Sequence, residues 1–223
     1  MATSGTTTYS LTSRQVIDYA LHKLRVLGAN ETATAEQATG ALRELNVLLK
    51  EWMKYPNLWR ETEASVTLVA STYSYTLSPV PHRVVSVRYR DSGSRDTPMR
   101  PLSREEYYNF PKKDSVGIPT QYYVDYQRSA ATLKLWQSLS SVTTETLPYT
   151  YLRKFEDVAA LDDDIDIRQE HLGMAGYSLA ARLADDYGRE GEVTNRVILR
   201  AEEMREELLD SDREDEVRFV AGW

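Results

Sequence analysis

The densest group of side chains able to do chemistry is the run Leu161-Asp162-Asp163-Asp164-Ile165-Asp166, whose carboxylates could hold a divalent cation or work as acid and base. The spacing does not match a calcium loop. One starting at Asp162 needs glycine at its sixth position and glutamate at its twelfth, where this chain has Ile167 and Gly173. A plainer reading places the acids in the loop ahead of a long helix, where negative charge near a helix N-terminus is favourable. His22, His82 and His171 lie far apart in sequence and fit no two-histidine metal spacing. No Gly-x-Ser-x-Gly elbow is present, and no Gly-x-Gly-x-x-Gly or Walker-type loop follows a predicted strand. These residues imply no catalytic group, no metal and no cofactor; a small hydrolase built on the 162–166 loop stays open as an alternative.

Composition narrows the class further. A chain of 223 residues is long enough to bury one large core or two small ones, and 41% hydrophobic with 27% charged residues is ordinary for a globular protein. No apolar run approaches the ~20 residues that span a bilayer. The polar start MATSGTTTYS lacks the pattern of a signal peptide and there is no cysteine, so synthesis in a cytoplasm is expected. A net charge of -7, from 34 acidic against 27 basic residues, argues against a protein that grips phosphate backbones over a broad surface.

The elements that must position any site divide the chain into helix, strand and helix. Thr12-Ser13-Arg14-Gln15 has the form of a capping box, and Val16, Tyr19, Ala20, Leu24 and Leu27 follow at helical spacing, with Gly28 at the expected left-handed stop. Thr34-Ala35-Glu36-Gln37 repeats the signal before Ala38, Ala41, Leu42, Leu45, Leu48, Leu49 and Trp52, so residues ~13–27 and ~35–54 read as a helical hairpin. From Ala64 the period becomes two, in SVTLVA, YSYTL, RVVSVRYR, TQYYVDYQ, TLKLWQ and TLPYTYLRKF, with a third capping box at Ser103-Arg104-Glu105-Glu106 starting a short helix over 105–110. Helical periodicity returns at Leu172, Ala175, Leu179, Ala180 and Leu183, then loosely at Val193, Val197, Leu199, Met204 and Leu208. The expectation is an α+β protein: an antiparallel helical bundle of residues 1–60 and 156–210, an inserted small antiparallel β-sandwich or barrel over 61–155, and a C-terminal docking tail over 211–223.

The β region is rich in aromatics, most densely in GIPTQYYVDY at 117–126. Ile118 and Pro119 are expected to enter a strand at a sheet edge, with Tyr122, Val124 and Tyr126 facing the core near Trp136 and Tyr123 facing the other way. Aromatics on both faces of one strand point to a second protein surface, which makes Tyr123 a candidate partner contact. An exposed row of the same rings could instead stack sugars, so a carbohydrate-binding or fibre-like module is the other alternative.

LLKEWMKYPNLW, HRVVSVRYRD, PMRPLSREEYYNFPKKDSVGIPTQYYVDYQ, TLKLW and LAARLADDYG, in that order and spacing, together resemble the head-to-tail adaptors of tailed bacteriophages, of the tail tubular protein A type found in short-tailed viruses. The resemblance covers nearly the whole chain. It implies a non-enzymatic virion protein of the neck or tail: a ring, expected to be a dodecamer, bound beneath the portal protein, extending the channel for DNA ejection and carrying the nozzle or other tail proteins. DNA would pass without specific binding, and no membrane is involved.

The C-terminus departs from the family pattern. Asp210-Ser211-Asp212-Arg213-Glu214-Asp215-Glu216 is too charged to bury, yet Val217-Arg218-Phe219-Val220-Ala221-Gly222-Trp223 is apolar and alternates like a strand. One reading is a frayed tail with Trp223 resting on its own subunit. The other is an arm that orders on assembly, with Phe219 and Trp223 as partner-binding anchors. Under the second reading, deleting residues 217–223 should leave the thermal midpoint nearly unchanged while sharply reducing attachment to the portal or ring closure. Undiminished assembly of the truncated chain, or loss of its fold, would count against the arm.

Overall fold

A computed structural model of the chain describes residues 5–55, 58 and 61–211. The order is α1 Ser13–Lys23, α2 Ala35–Trp52, β1 Glu61–Thr67, β2 Ser74–Thr76, β3 Arg83–Arg90, β4 Asp96–Pro98, β5 Arg100–Pro101, α3 Arg104–Asn109, β6 Gln121–Tyr126, β7 Ala131–Trp136, β8 Thr146–Leu152, α4 Leu172–Leu183 and α5 Glu192–Ser211. The chain divides into a helical unit, Met1–Leu58 with Phe155–Trp223, and a β unit, Trp59–Lys154. The architecture is α+β.

All three capping boxes form. Gln15, Gln37 and Glu106 each receive the N-cap N–H on the side chain, at 3.0, 2.9 and 2.7 Å, and each donates its own N–H to the hydroxyl of Thr12, Thr34 or Ser103. A capping box leaves other N–H groups at a helix start without partners. At α1 these are satisfied from far along the chain, because the Ser13 and Arg14 N–H groups donate to the carbonyls of Asp163 (2.8 Å) and Leu161 (3.0 Å). The buried Ser13 hydroxyl donates to the Ala160 carbonyl at 2.9 Å.

The stop of α1 differs from the expectation at Gly28. The helix closes at Lys23 by a Schellman motif: Val26 N–H donates to the Leu21 carbonyl and Arg25 N–H to that of His22, both at 3.0 Å, with Arg25 left-handed at φ 56°. Gly28 lies beyond it, its N–H held by the Glu31 carboxylate at 2.8 Å.

In the helical unit α4 contacts α1, α2 and α5. That explains its composition: seven of its residues, Leu172, Met174, Ala175, Gly176, Leu179, Ala180 and Leu183, are buried, a far wider apolar arc than a one-sided helix carries. Gly176 is required by the approach of α1. A Cβ there would stand 2.6 Å from Cε1 of Tyr19, whose ring meets Tyr177 edge to face at 5.9 Å beneath the ammonium of Lys23. On the other side Arg182 ties α4 to α2 through Glu44 (2.6 Å) and Glu51 (2.8 Å). Helix α5 buries Thr194, Val197, Ala201 and Leu208, but Leu199, assigned to the same stripe by sequence, is exposed because it lies on the opposite side of the helix from Val197 and Ala201.

The β unit contains two four-stranded sheets, ordered β1-β8-β3-β4 and β2-β7-β6-β5. Both contribute to one buried cluster that includes Tyr75, Leu77, Val87, Tyr122, Leu133, Leu135, Leu147 and Tyr149. The buried Tyr75 hydroxyl is fully used, accepting from Val69 N–H (3.1 Å) and facing the carbonyls of Val69 and Thr72 at 3.2 and 3.0 Å. The pairing is not wholly antiparallel as expected, since β5 runs parallel to β6. Nor is β6 an edge: it is flanked by β7 and β5, and Ile118 and Pro119 precede it rather than belong to it.

Gly176→Ala should therefore lower stability by about 1–3 kcal/mol through overpacking against Tyr19. Chemical denaturation of Gly176→Ala, Tyr19→Ala and the double variant checks this: the double variant should lose clearly less than the sum of the singles. Strict additivity would mean that the ring does not set the α1–α4 spacing.

Candidate assembly surface

Helix α3 exists because Ser103 and Glu106 cap it, and hydrogen bonds from Ser103, the backbone N–H first, hold the Glu106 carboxyl below the usual carboxylate range. The helix lies against β6. Register decides what it covers. Tyr122 pairs with Leu135 and Val124 with Leu133, so this set faces the core; Gln121 pairs with Trp136 and Tyr123 with Lys134, so these point the other way.

Trp136 thus belongs to the Tyr123 face and not, as expected, to the Tyr122 face, because it opposes Gln121 in the ladder. Tyr126 also departs from the core assignment. It shares the parity of Tyr122, but it ends the strand with 45% of its surface exposed while its hydroxyl accepts from Val84 N–H at 2.7 Å. That N–H lies beside the register shift between Val84 and Ser86, so the hydroxyl joins β6 to the opposite sheet where the ladder is irregular.

The outer face of β6 and β7 is roofed by α3. Buried Tyr107 stacks on Tyr123 with centroids 5.5 Å apart, Tyr108 meets Tyr123 at 6.3 Å, and Phe110 stacks on Trp136 at 4.5 Å. A helix of the same chain therefore accounts for aromatics on both faces of this strand, and it leaves Tyr123 half-buried. The most exposed ring of this roof is Tyr108, 46% exposed, with the cations of Lys113 and Lys134 at 5.5 Å and of Arg104 at 5.7 Å from its centre. Lys134 donates to the Tyr108 hydroxyl at 3.1 Å and lies 3.5 Å from Asp125; the hydroxyl bond, more than the carboxylate, raises its pKa. Past α3 the chain exposes Lys112, Val116 and Ile118.

The other groups singled out by sequence do not converge. The carboxylate of Asp163 accepts from the N–H groups of Ala159 and Ala160 at 2.9 and 2.7 Å, that of Asp164 from the Ser10 hydroxyl at 3.0 Å, and that of Asp166 from Glu156 N–H at 3.1 Å. These acids hold loop backbone in place. His82 sits in the β unit, its pKa lowered by burial and then by Lys154 and Arg83, whereas His22 and His171 belong to the helical unit. Among the described residues no three His, Asp or Glu side chains are grouped to hold a metal, and no helix is long and apolar enough to cross a membrane. Phe219 and Trp223 lie outside the described residues.

A feature that reading the whole chain at once conceals is the division of charge. The β unit carries 13 Lys and Arg against 9 Asp and Glu, a balance of +4; the helical unit carries 14 against 25, a balance of -11; together they make the -7 of the chain. Counting charge within each predicted segment would have exposed it.

Tyr122→Ala should cost about 3–5 kcal/mol of stability, as large core truncations do. Tyr123→Ala, which removes a half-buried stack, should cost about 1–2 kcal/mol. Denaturation of both variants measures the ratio. Equal losses would contradict the two-faced strand.

Comparison with known proteins then places the chain. A family profile described as SU10 adaptor protein matches residues 4–221. No curated protein matches. Among solved structures, a chain from "Neck of empty GTA particle computed with C6 symmetry" is 12% identical, with 85% of this chain and 93% of that one covered and a TM-score of 0.30. A chain from "Virion of native gene transfer agent (GTA) particle" is 13% identical, with 96% of each chain covered and a TM-score of 0.31. With the profile spanning nearly the full length, the chain belongs to the SU10 adaptor protein family.

Proposed function

We propose that the protein is a structural head-to-tail adaptor of the virion neck: a non-enzymatic ring of about twelve copies beneath the portal, extending the DNA channel and presenting a platform for tail proteins. The observation that carries this reading is the family match over residues 4–221. The division of charge supports it as well. A channel wall formed by helical units, at -11 each, repels phosphates, so DNA passes without capture. Phe219, Trp223 and the roofed Tyr123 serve as partner contacts in this reading, the first two as anchors of the tail and the third as the support beneath Tyr108.

The alternatives have less to stand on. A sugar-binding module needs a row of open rings, but Tyr122, Tyr149 and Tyr151 are buried while Tyr123 and Trp136 lie under α3 residues. A hydrolase needs free carboxylates, and those of Asp163, Asp164 and Asp166 accept hydrogen bonds that fasten the 155–166 segment.

Electron microscopy of the chain mixed with its cognate portal tests the proposal. Monomers at low concentration and rings of twelve seated on the portal are the expected result. Neither rings nor portal-bound protein at high concentration would overturn it.

A further inference from the structure

The segment that carries α3 is fastened at its two ends and not along its length. On the entering side the Arg100 and Leu102 N–H groups donate to the carbonyls of Thr120 (2.9 Å) and Tyr122 (2.7 Å), where β5 joins β6. On the leaving side Gly117 N–H donates to the Ser138 carbonyl at 2.9 Å, and Ser138 N–H donates to the Ser115 carbonyl at 3.0 Å. Between these anchorages, among the described residues, no backbone hydrogen bond joins residues 103–114 to either sheet; the Tyr107 and Phe110 N–H groups donate to the carbonyls of Ser103 and Tyr107, within the segment itself.

The segment also holds its own shape. The capping box closes the start of α3, and the Lys113 ammonium donates to the Tyr108 and Phe110 carbonyls, both at 3.2 Å, at its end. Side chains alone fix it to the sheet: Tyr107 stacks on Tyr123 and Phe110 on Trp136, Lys134 donates to the Tyr108 hydroxyl at 3.1 Å, and Arg100 pairs with Glu106 at 3.3 Å. These contacts can part together while the ladder between β6 and β7 stays intact.

Covering the sheet face has a cost. The hydroxyl of Tyr107, a residue 1% exposed, has no hydrogen-bond partner among the described residues. Neither has the buried Oε1 of Gln121, which opposes Trp136 on the same face. A polar atom buried without a partner loses its hydration and gains nothing in exchange, so both atoms are better satisfied when the face is wet. The stacked rings oppose this and keep the closed form dominant.

We propose that residues 103–114 form a flap that swings off β6 and β7 as one piece about Leu102 and Ser115, far more often than the β unit unfolds, and uncovers the full rings of Tyr123 and Trp136. The flap is a cover: it keeps an aromatic sheet face from non-specific association until it lifts. The inference goes beyond the adaptor reading and does not rest on it.

Native-state hydrogen exchange of the full chain, followed residue by residue by NMR at low denaturant, tests it. The N–H groups of Tyr107, Tyr108 and Asn109 should share one opening equilibrium, open at least ~100-fold more often than the β6–β7 ladder and less sensitive to denaturant. Tyr107→Phe keeps the ring and removes the orphaned hydroxyl, so it should slow exchange of the three by roughly fivefold or more and leave the ladder unchanged. A helix that frays with its rings still seated would not respond to the hydroxyl. Exchange of the three together with the ladder, at the same rate and denaturant dependence, would overturn the flap. So would three unequal opening equilibria, or a Tyr107→Phe variant that exchanges as fast as wild type. None of these outcomes bears on rings at the portal, which microscopy reads separately.

Discussion

The helical unit depends on a strip of backbone hydrogen bonds that closes a gap of more than a hundred residues. Its two halves are separated by the entire β unit, and the chain that returns, residues 155–166, has no regular secondary structure with which to satisfy its peptide groups. The helices supply the partners. The Asn46 amide accepts from Val158 N–H and donates to its carbonyl, both at 2.9 Å, as a neighbouring strand would, and the Lys50 ammonium meets the Phe155 carbonyl at 2.8 Å and pairs with Asp157. In return the segment's carbonyls take the free N–H groups at the start of α1. Each side removes polar groups that would be costly to bury alone, so neither arrangement is stable without the other. Phe155, Val158, Ile165 and Ile167 are buried on this strip, which adds apolar burial to the same closure.

The aromatic face of the β unit follows a different logic. A two-faced strand would leave Tyr123 and Trp136 in water, and a six-residue helix too short to be stable alone covers them. Its cap and its stacks hold it there. Tyr107 and Phe110 press on the sheet, and Tyr108 is left as the outward ring among cations. A short capped helix thus turns an apolar sheet face into a surface that mixes charge with exposed apolar groups, suited to a partner that is neither purely polar nor purely apolar.

Charge has to be read at the level of the folded unit. A chain at -7 looks like a protein that avoids anions, but its β unit at +4 and its helical unit at -11 carry opposite balances. Repulsion of DNA and cohesion of an assembly are compatible once the acidic and basic residues occupy separate units.

The sequence by itself determined the features that depend on neighbours within a few residues. The three capping boxes, the apolar periods of α1, α2 and α4, and the alternation of β6 and β7 were legible because the interacting groups are separated by two to four positions. The same length-wide order of motifs was enough to point to an adaptor family. Tertiary structure alone decided the rest. The stop of α1 moved from Gly28 to Arg25 because a Schellman closure tolerated a residue other than glycine. The alternation of β7 already sets Trp136 opposite Leu133 and Leu135, but only the register beside Gln121 and the stack on Phe110 decided what covers it. Leu199 left the buried stripe because a loose helical period is compatible with more than one face, and only the packing of α4 chose between them. Among the acids of 162–166, Asp163 accepts from N–H groups only three and four residues back, but Asp164 reaches the Ser10 hydroxyl, and the carbonyls of Leu161 and Asp163 reach the start of α1, only when residues 10–14 and 155–166 meet in space, a long-range closure that no local pattern contains.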